Sequence, residues 1–341
     1  MGTQATLADV ATMAGVSLAT ASRALNPTKG AAVGPELRAR VRAAAAELSY
    51  APNAHAQAMR SPTTGAGLIV HDIADPVGAA IASGVLAAAA EQGLIVTIGA
   101  SGSDPEAEAR LVETLRRQRA RGIILAGSRF TDSPAQRWLD DEVSAIRAGG
   151  GRVVTIGQAT PGTQAVLVDN VGGATDLAGA LWALGYRRFA VLAGPEYLVT
   201  SEDRVAGFRQ ALADLGGALP GENVLASQMS RDGGYAAMRE VLDHGIEADC
   251  VFAVDDSMAM GAVAAVRDSG LRVPDDVAVA GFGDIAALRD VVPGLTTVRL
   301  PLAEMGRTAL QLAFDSRPDP QVLRVSGTVV LRDSTPPVGP R

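Results

Sequence analysis

The residues that offer most chemistry in one place lie between Thr6 and Asn26. Leu7, Val10, Ala11, Val16, Ala21 and Leu25 recur at helical spacing, and Gly15 supplies a permissive backbone between two short helices. Thr6 with Asp9 three residues later reads as an acidic variant of the capping box, and Ser17 caps the second helix. The opposite face of that second helix presents Leu18, Ala19, Ser22, Arg23 and Asn26, which packing leaves unclaimed. One guanidinium among small polar and apolar groups on a narrow helix suits the major groove of DNA, and the outline is a helix-turn-helix. An amphipathic helix pair with no ligand would show the same spacing, so the rest of the chain has to decide.

Other reactive residue types form no comparable set. The chain holds three histidines and one cysteine, and neither a metal-ligand spacing nor a Ser-His-Asp context stands out. Cys250, beside Val251 and Phe252, reads as a buried strand residue. Gly281-Phe-Gly283-Asp-Ile-Ala286 fits the G-x-G-x-x-A dinucleotide fingerprint, but Val292-Pro-Gly294 cuts short any helix it could open. An NAD-dependent enzyme is therefore the weaker alternative, and no cofactor is implied.

The totals bound the class. With 341 residues, the chain is long enough for two or three domains. No early segment has the pattern of a signal peptide, and no apolar run approaches the roughly 20 residues that span a bilayer, so the expected location is the cytoplasm with no membrane partner. That absence also disfavours a solute-binding receptor for transport. The net charge of -7 is unevenly spread: residues 1–60 carry six basic and three acidic side chains, net +3, which leaves -10 on the remaining 281. A small basic head on an acidic body fits a protein that meets phosphate at one end.

The elements that must position these residues follow in order. After the breaker cluster Pro27-Thr-Lys-Gly30, a third helix opens at Gly34-Pro35 and runs to about Ser49, with Leu37, Val41, Ala44, Ala45 and Leu48 closing a three-helix head. Residues 54–60 read either as a linker or as a helix that forms only when it finds a partner, being too short and too poor in apolar surface to stand alone. From Gly65 the pattern alternates strands with helices: strands at Leu68–Val70, Leu94–Ile98, Gly122–Leu125 and Arg152–Ile156, with helices at 77–92, 105–120 and 134–148. A second run places helices at 173–184, 203–215, 232–243 and 257–269. Its strands fall at Arg188–Leu192, 223–226, Cys250–Val254 and Val277–Ala280. The fold class is α/β, with two lobes of doubly wound parallel sheet and a cleft between them. A last helix at 302–315 and a strand at Gly327–Leu331 cross back, giving lobes of about 65–169 plus 296–326 and 170–295 plus 327–341.

Several motifs then coincide. Leu7-Ala-Asp-Val-Ala11, Ala14-Gly-Val-Ser17, Thr20-Ala-Ser-Arg23-Ala-Leu-Asn26 and Leu48-Ser-Tyr50-Ala-Pro-Asn53-Ala resemble the head signature of the lactose-repressor (LacI/GalR) family of bacterial transcription factors. Val168-Asp-Asn170, Leu184-Gly-Tyr-Arg-Arg188, Arg204-Val-Ala-Gly-Phe208 and Val273-Pro-Asp-Asp-Val-Ala278 resemble landmarks of its two-lobed, periplasmic-binding-protein-like body. The resemblance covers nearly the whole chain. It implies a homodimeric repressor that binds a palindromic operator and is not an enzyme. It assigns residues 1–60 to the DNA-binding head and 65–341 to effector binding and dimerisation.

Within that resemblance, Arg23 is the expected base contact, since a guanidinium can bond both acceptors of guanine. Leu18 and Ala19 read thymine methyls and shape. Thr6, Ser17, Thr20, Ser22, Asn26 and Asn53 suit phosphate contacts. Residues 53–60 resemble the hinge helix that enters the minor groove, with Ala56 against the groove floor and Met59 as the wedge where the family has leucine. His55 falls where two hinge helices would meet, and Gly34 stands where serine is usual.

A small-molecule effector, a sugar or related metabolite, is expected between the lobes, near Asp75, Val77, Arg204, Met229, Asp255 and Asp284. Asp255 and Asp284 fall at carboxyl ends of strands, where open α/β sheets bind ligands. Here the chain departs from the family. Val77-Gly78 replaces two aromatics, Met229 an aromatic that stacks on sugar, Asp255 an asparagine, Gly157 an Ile-Asp-Arg and Gly283 an acid. The Pro-Asp-Asp at 274–276 reads as turn chemistry. The Pro-rich end from Pro336 lacks a heptad tail, which favours a dimer over a tetramer.

Overall fold

The computed structural model describes residues 5–25, 33–50, 65–130, 134–317 and 320–339. Asn26, Asn53, His55, Ala56 and Met59 lie outside them. The chain divides into two compact units, Met1–Thr64 and Gly65–Arg341.

In the first unit, α1 (Leu7–Met13), α2 (Leu18–Leu25) and α3 (Pro35–Glu47) pack around Val10, Ala21, Ala24 and Val41, all fully buried. The capping box forms: Thr6 Oγ1 accepts from the Asp9 amide at 3.3 Å, and Asp9 Oδ2 accepts from the Thr6 amide at 2.8 Å. Gly15 turns the chain at φ +60°. Ser17 Oγ then accepts from the Thr20 amide at 3.1 Å and starts α2. Leu37, expected in this core, is 37% exposed, and Ala14 and Ala24 fill the space instead.

The second unit carries two parallel sheets. The first has the order β11-β5-β4-β3-β1-β2, from β1 (Ala66–Val70), β2 (Val96–Ala100), β3 (Gly122–Ala126), β4 (Arg152–Gly157), β5 (Gln164–Val168) and β11 (Val322–Val325). The helices α4 (Pro76–Glu91), α5 (Pro105–Arg117) and α6 (Gln136–Ala148) connect the first four. After β5, α7 (Asn170–Ala183) leads into the second sheet. That sheet has the order β7-β6-β8-β9, from β6 (Phe189–Ala193), β7 (Val224–Ala226), β8 (Cys250–Ala253) and β9 (Ala278–Ala280). Its helices are α8 (Val199–Asp214), α9 (Arg231–Asp243) and α10 (Asp256–Asp268).

The central strands are buried along their whole length, as continuous apolar runs covered by helices on both faces require. The chain passes between lobes after β5, through β10 (Thr297–Arg299), and again before β12 (Thr328–Val330), which pairs antiparallel with β10. Between the last two passages α11 (Leu302–Ala313) returns to the first lobe and packs on α4. Glycines set that crossing: a Cβ on Gly84 would lie 1.8 Å from the Ala303 carbonyl oxygen, and one on Gly306 would lie 2.1 Å from that of Ile81.

Several expected boundaries move. The second strand is Val96–Ala100 rather than Leu94–Ile98, α8 begins at Val199 rather than 203, and β5 and β11 are additional strands. After β9 the G-x-G-x-x-A segment opens only a short 3-10 turn, Ala286–Asp290, so no dinucleotide-binding helix follows it. Among the described residues no helix is long and apolar enough to cross a membrane.

Candidate nucleic-acid interface and interlobe site

With Ala21 and Ala24 buried in the head, α2 turns Leu18, Ala19 and Arg23 to solvent, and Leu18 is 53% exposed. Arg23 Nε donates to its own helix at the Ala19 carbonyl, 3.1 Å away, so its terminal nitrogens remain at the outer edge of that face. Ser17 and Thr20 share a hydroxyl hydrogen bond of 2.8 Å beside it, and Ser22 is half-buried. Thr6 is differently placed. Its hydroxyl donates to Asp9 Oδ2 at 2.7 Å while accepting the Asp9 amide, so both its functions are spent on the cap. Gly34 caps α3 with no side-chain hydrogen bond.

In the second unit the carboxyl ends of the two sheets supply a charged cluster. Arg204, on α8, is 7% exposed: Nε donates to Asn170 Oδ1 at 2.9 Å, Nη1 to the Val254 carbonyl at 2.6 Å, and the guanidinium lies 3.8 Å over the Phe282 ring. Burial pushes its pKa down to about 10, opposed by Asp255, Asp256, Asp203 and Asp75, so it stays charged. Asp255 caps α10 by accepting the Ser257 amide at 2.7 Å. It is pushed up to about 7, first by burial and then by the Asp75 and Asp256 carboxylates. Asp75, in the first lobe, caps α4 through the amides of Val77 at 3.2 Å and Gly78 at 3.0 Å, and burial raises its pKa as well. Asp75 therefore feels Arg204 and Asp255 from across the cleft.

Val77 reaches toward Gly283, where a Cβ would lie 3.7 Å from its Cγ2. Met229 covers the end of β6: a Cβ on Gly194 would lie 2.5 Å from its Cγ.

Asp284 does not join this group, contrary to the sequence expectation. Its carboxylate accepts from Arg332 Nη2 at 2.7 Å and from Arg299 Nε, and although burial opposes it, these two arginines hold its pKa low. Two cations have already claimed the acid. Asp256 is likewise occupied, accepting the Thr297 hydroxyl at 2.6 Å and the Ile285 amide at 3.0 Å. Asp276 accepts the Arg272 amide at 2.8 Å, as turn chemistry requires.

Sequence reasoning missed the residues that join the lobes beside this cluster. The Phe130 ring lies 5.5 Å from that of His71 and 6.2 Å from that of Tyr197, the last pair nearly parallel at 27°. Phe130 forms an isolated bridge with Leu198, and the Val199 amide donates to the Arg129 carbonyl at 3.2 Å. The Thr200 amide donates to Ser128 Oγ at 3.0 Å, and Gln158 Nε2 donates to Thr200 Oγ1 at 2.8 Å. Beneath them Arg129 Nη1 meets Glu108 Oε1 at 2.6 Å, with side chains 9% and 2% exposed. Burial, followed by the Arg129 charge, drives His71 down to about 4, so it is neutral near pH 7. His71 Nε2, Ser101 Oγ and Arg129 Nε are buried and find no hydrogen-bond partner among the described residues. Only the aromatic at 130 left a trace in the sequence, a lone phenylalanine just past an apolar strand.

Residues 6–53 match the model for bacterial regulatory proteins of the lacI family, and residues 178–335 match the periplasmic binding protein-like domain. The chain is 34% identical over 337 residues to the HTH-type transcriptional regulator GalR of Escherichia coli, covering 97% of this chain and 95% of the relative. Among solved structures it is similar to a complex of the transcriptional regulator CelR with cellobiose, at 32% identity and TM-score 0.70, covering 97% and 99% of the two chains. It is also similar to the lac repressor dimer bound to operator and the anti-inducer ONPF, at 27% identity and TM-score 0.81, covering 98% and 100%.

Proposed function

The chain belongs to the lacI family of bacterial regulatory proteins, and from that membership we propose that it is an operator-binding repressor governed by a small molecule held between its lobes. The observation that carries the DNA-binding half is the α2 face: Leu18, Ala19 and Arg23 stand clear of a packed, doubly capped helix pair. Arg23 reads guanine, Leu18 and Ala19 read methyl groups and shape, and Ser17, Thr20, Ser22, Asn26 and Asn53 hold phosphates. Thr6 contributes less than these, because its hydroxyl is committed to Asp9. Two copies of the chain place two such helices one turn apart on a palindrome, a reading supported by the similar lac repressor, which is a dimer bound to operator. Ala56 and Met59 enter the minor groove between them. The protein works in the cytoplasm, where the DNA is, and has no catalytic role.

The effector sits against Arg204, Asp75 and Asp255, with Val77 and Met229 as apolar walls and Phe130 and Tyr197 supplying the rings that positions 77, 78 and 229 lack. Cellobiose in the related CelR complex favours a hydroxyl-rich ligand, which Arg204 and the two carboxylates would hydrogen-bond. Its differential contact with the two lobes changes how they close and so the fit of the heads on DNA.

Two measurements test the reading. Footprinting of the DNA upstream of the gene and its neighbours should reveal a protected palindrome, and no protection at any such site would contradict it. Thermal-shift screening of sugars and related metabolites against residues 65–341 should find a stabilising ligand. That shift should disappear in Arg204→Met, and an undiminished shift would remove the site.

A further inference from the structure

The net basic charge of residues 1–60 suits phosphate, but its arginines are not placed alike. The structure divides it. Arg40, an exposed residue on the third helix, directs its guanidinium to the turn between α1 and α2. Nε and Nη2 both donate to the Ala14 carbonyl, at 3.0 and 2.8 Å, and Nη2 also reaches the Gly15 carbonyl at 3.3 Å. These oxygens lie just past the last turn of α1, where intrahelical donors have run out and the helix dipole is negative. Nη2 closely approaches the turn: a Cβ on Gly15 would be 3.5 Å from it, while φ +60° already favours glycine there. An arginine 26 residues away along the chain thus ties α3 to the two residues that set the direction in which α2 leaves α1.

We propose that Arg40 is a positioning residue for DNA reading, a clamp that fixes the angle of α2 and does not itself neutralise phosphate. The fork geometry suits this role: two donors on one carbonyl and a third contact on the next constrain the turn in more than one direction, which a single ammonium cannot do. Arg23, on the far face of α2, bonds to its own helix and, among the described residues, has no such ties beyond it. The two arginines therefore divide the work: Arg23 meets the base and Arg40 sets where Arg23 is held. Base reading depends on geometry within a fraction of an ångström, whereas backbone contacts tolerate small rotations. Loss of the clamp should lower specificity more than overall grip.

The inference rests on the DNA-reading function, and the test separates the two. The wild-type full chain first selects an operator from random duplexes; if it selects none, the function itself fails. Affinities for that operator and for a scrambled duplex of equal length are then measured by fluorescence anisotropy from about 50 to about 200 mM salt. Arg40→Met should weaken operator binding about tenfold, change scrambled-duplex binding less than about twofold, and leave the salt slope as in wild type. Arg40→Lys keeps the charge and fold but loses the fork, and should lower the operator-to-scrambled ratio by about threefold. A wild-type ratio in Arg40→Lys overturns the proposal. So does an equal loss on both duplexes with a salt slope reduced by about 0.9, which would make Arg40 a phosphate contact.

Discussion

Each charged residue of the site has a neighbour that decides its state. Arg23 in the free head bonds to Ala19 with Nε and keeps its terminal nitrogens outward, so a base contact needs little rearrangement. Arg23→Ala should cost about 1–3 kcal/mol of operator binding and relax preference at one base pair, measured against single-substituted operators. An equal loss on every sequence would make it a backbone contact. Arg129 and Glu108 are buried together, so Arg129→Met leaves a carboxylate unpaired and should destabilise the body by about 3–5 kcal/mol in urea unfolding. Adding Glu108→Leu should restore most of that loss.

Asp255 and His71 oppose one another in pH. Asp255 rises from an ordinary 3.8 to about 7 on folding, so its contribution is fully present below pH 3.8 and is lost as pH rises toward 7. His71 falls from 6.5 to about 4, so its contribution is present above 6.5 and is lost as pH falls toward 4. Asp255→Asn removes only the first, and the asparagine still caps α10. Stability should then climb more steeply with pH between about 4 and 7 than in wild type. Unfolding curves across that range check it, and an unchanged slope would contradict the burial of Asp255. The acid at 255 is legible in the sequence as a strand-end residue. Its coupling to Asp75 is not, because the two lie 180 positions apart and meet only when both lobes are folded.

At the scale of elements, the helices whose starts carry chemical signals are the legible ones. Thr6 with Asp9, Ser17 and Gly34-Pro35 mark α1, α2 and α3 through local bonds that need no tertiary partner. Thr6→Ala should therefore cost about 1 kcal/mol of head stability, read as a lower first transition in thermal unfolding, with the body transition unmoved. A shift in both would mean that the units unfold together. Strands β5 and β11 escape the same reading for different reasons. Gln164-Ala-Val-Leu-Val follows β4 across the Pro161-Gly162 turn with no helix between them, which breaks the strand-helix alternation, and Val322-Leu-Arg-Val is a largely exposed edge strand whose pairing with β5 comes from the far end of the chain. Leu37 misleads because its spacing fits the core face, yet it lies exposed at the edge of α3. The latch at residues 128–130, 158 and 197–200 belongs to no single element, so no local pattern announces it.

At the scale of the molecule, the uneven charge, the change from helices to alternating strands and helices at Gly65, and the order of motifs are all visible along the chain, and the compact units divide at that point. What the chain hides is how the lobes meet. Asp284 stands where a ligand acid is expected, yet Arg299 and Arg332 converge on it from two later segments. Phe130 and Tyr197, from different lobes, bring back aromatic surface that the expected positions lack. The basic head holds two differently placed arginines, Arg23 bonded to its own helix and Arg40 bonded to the turn between α1 and α2.

The central claim is that this architecture reads one symmetric DNA sequence. Repeated selection of the full chain against random duplexes tests it most directly. The enriched pool should converge on an inverted repeat, with affinity falling steeply and linearly in the logarithm of salt concentration. A pool that stays random through successive rounds, at salt low enough for binding, would contradict it.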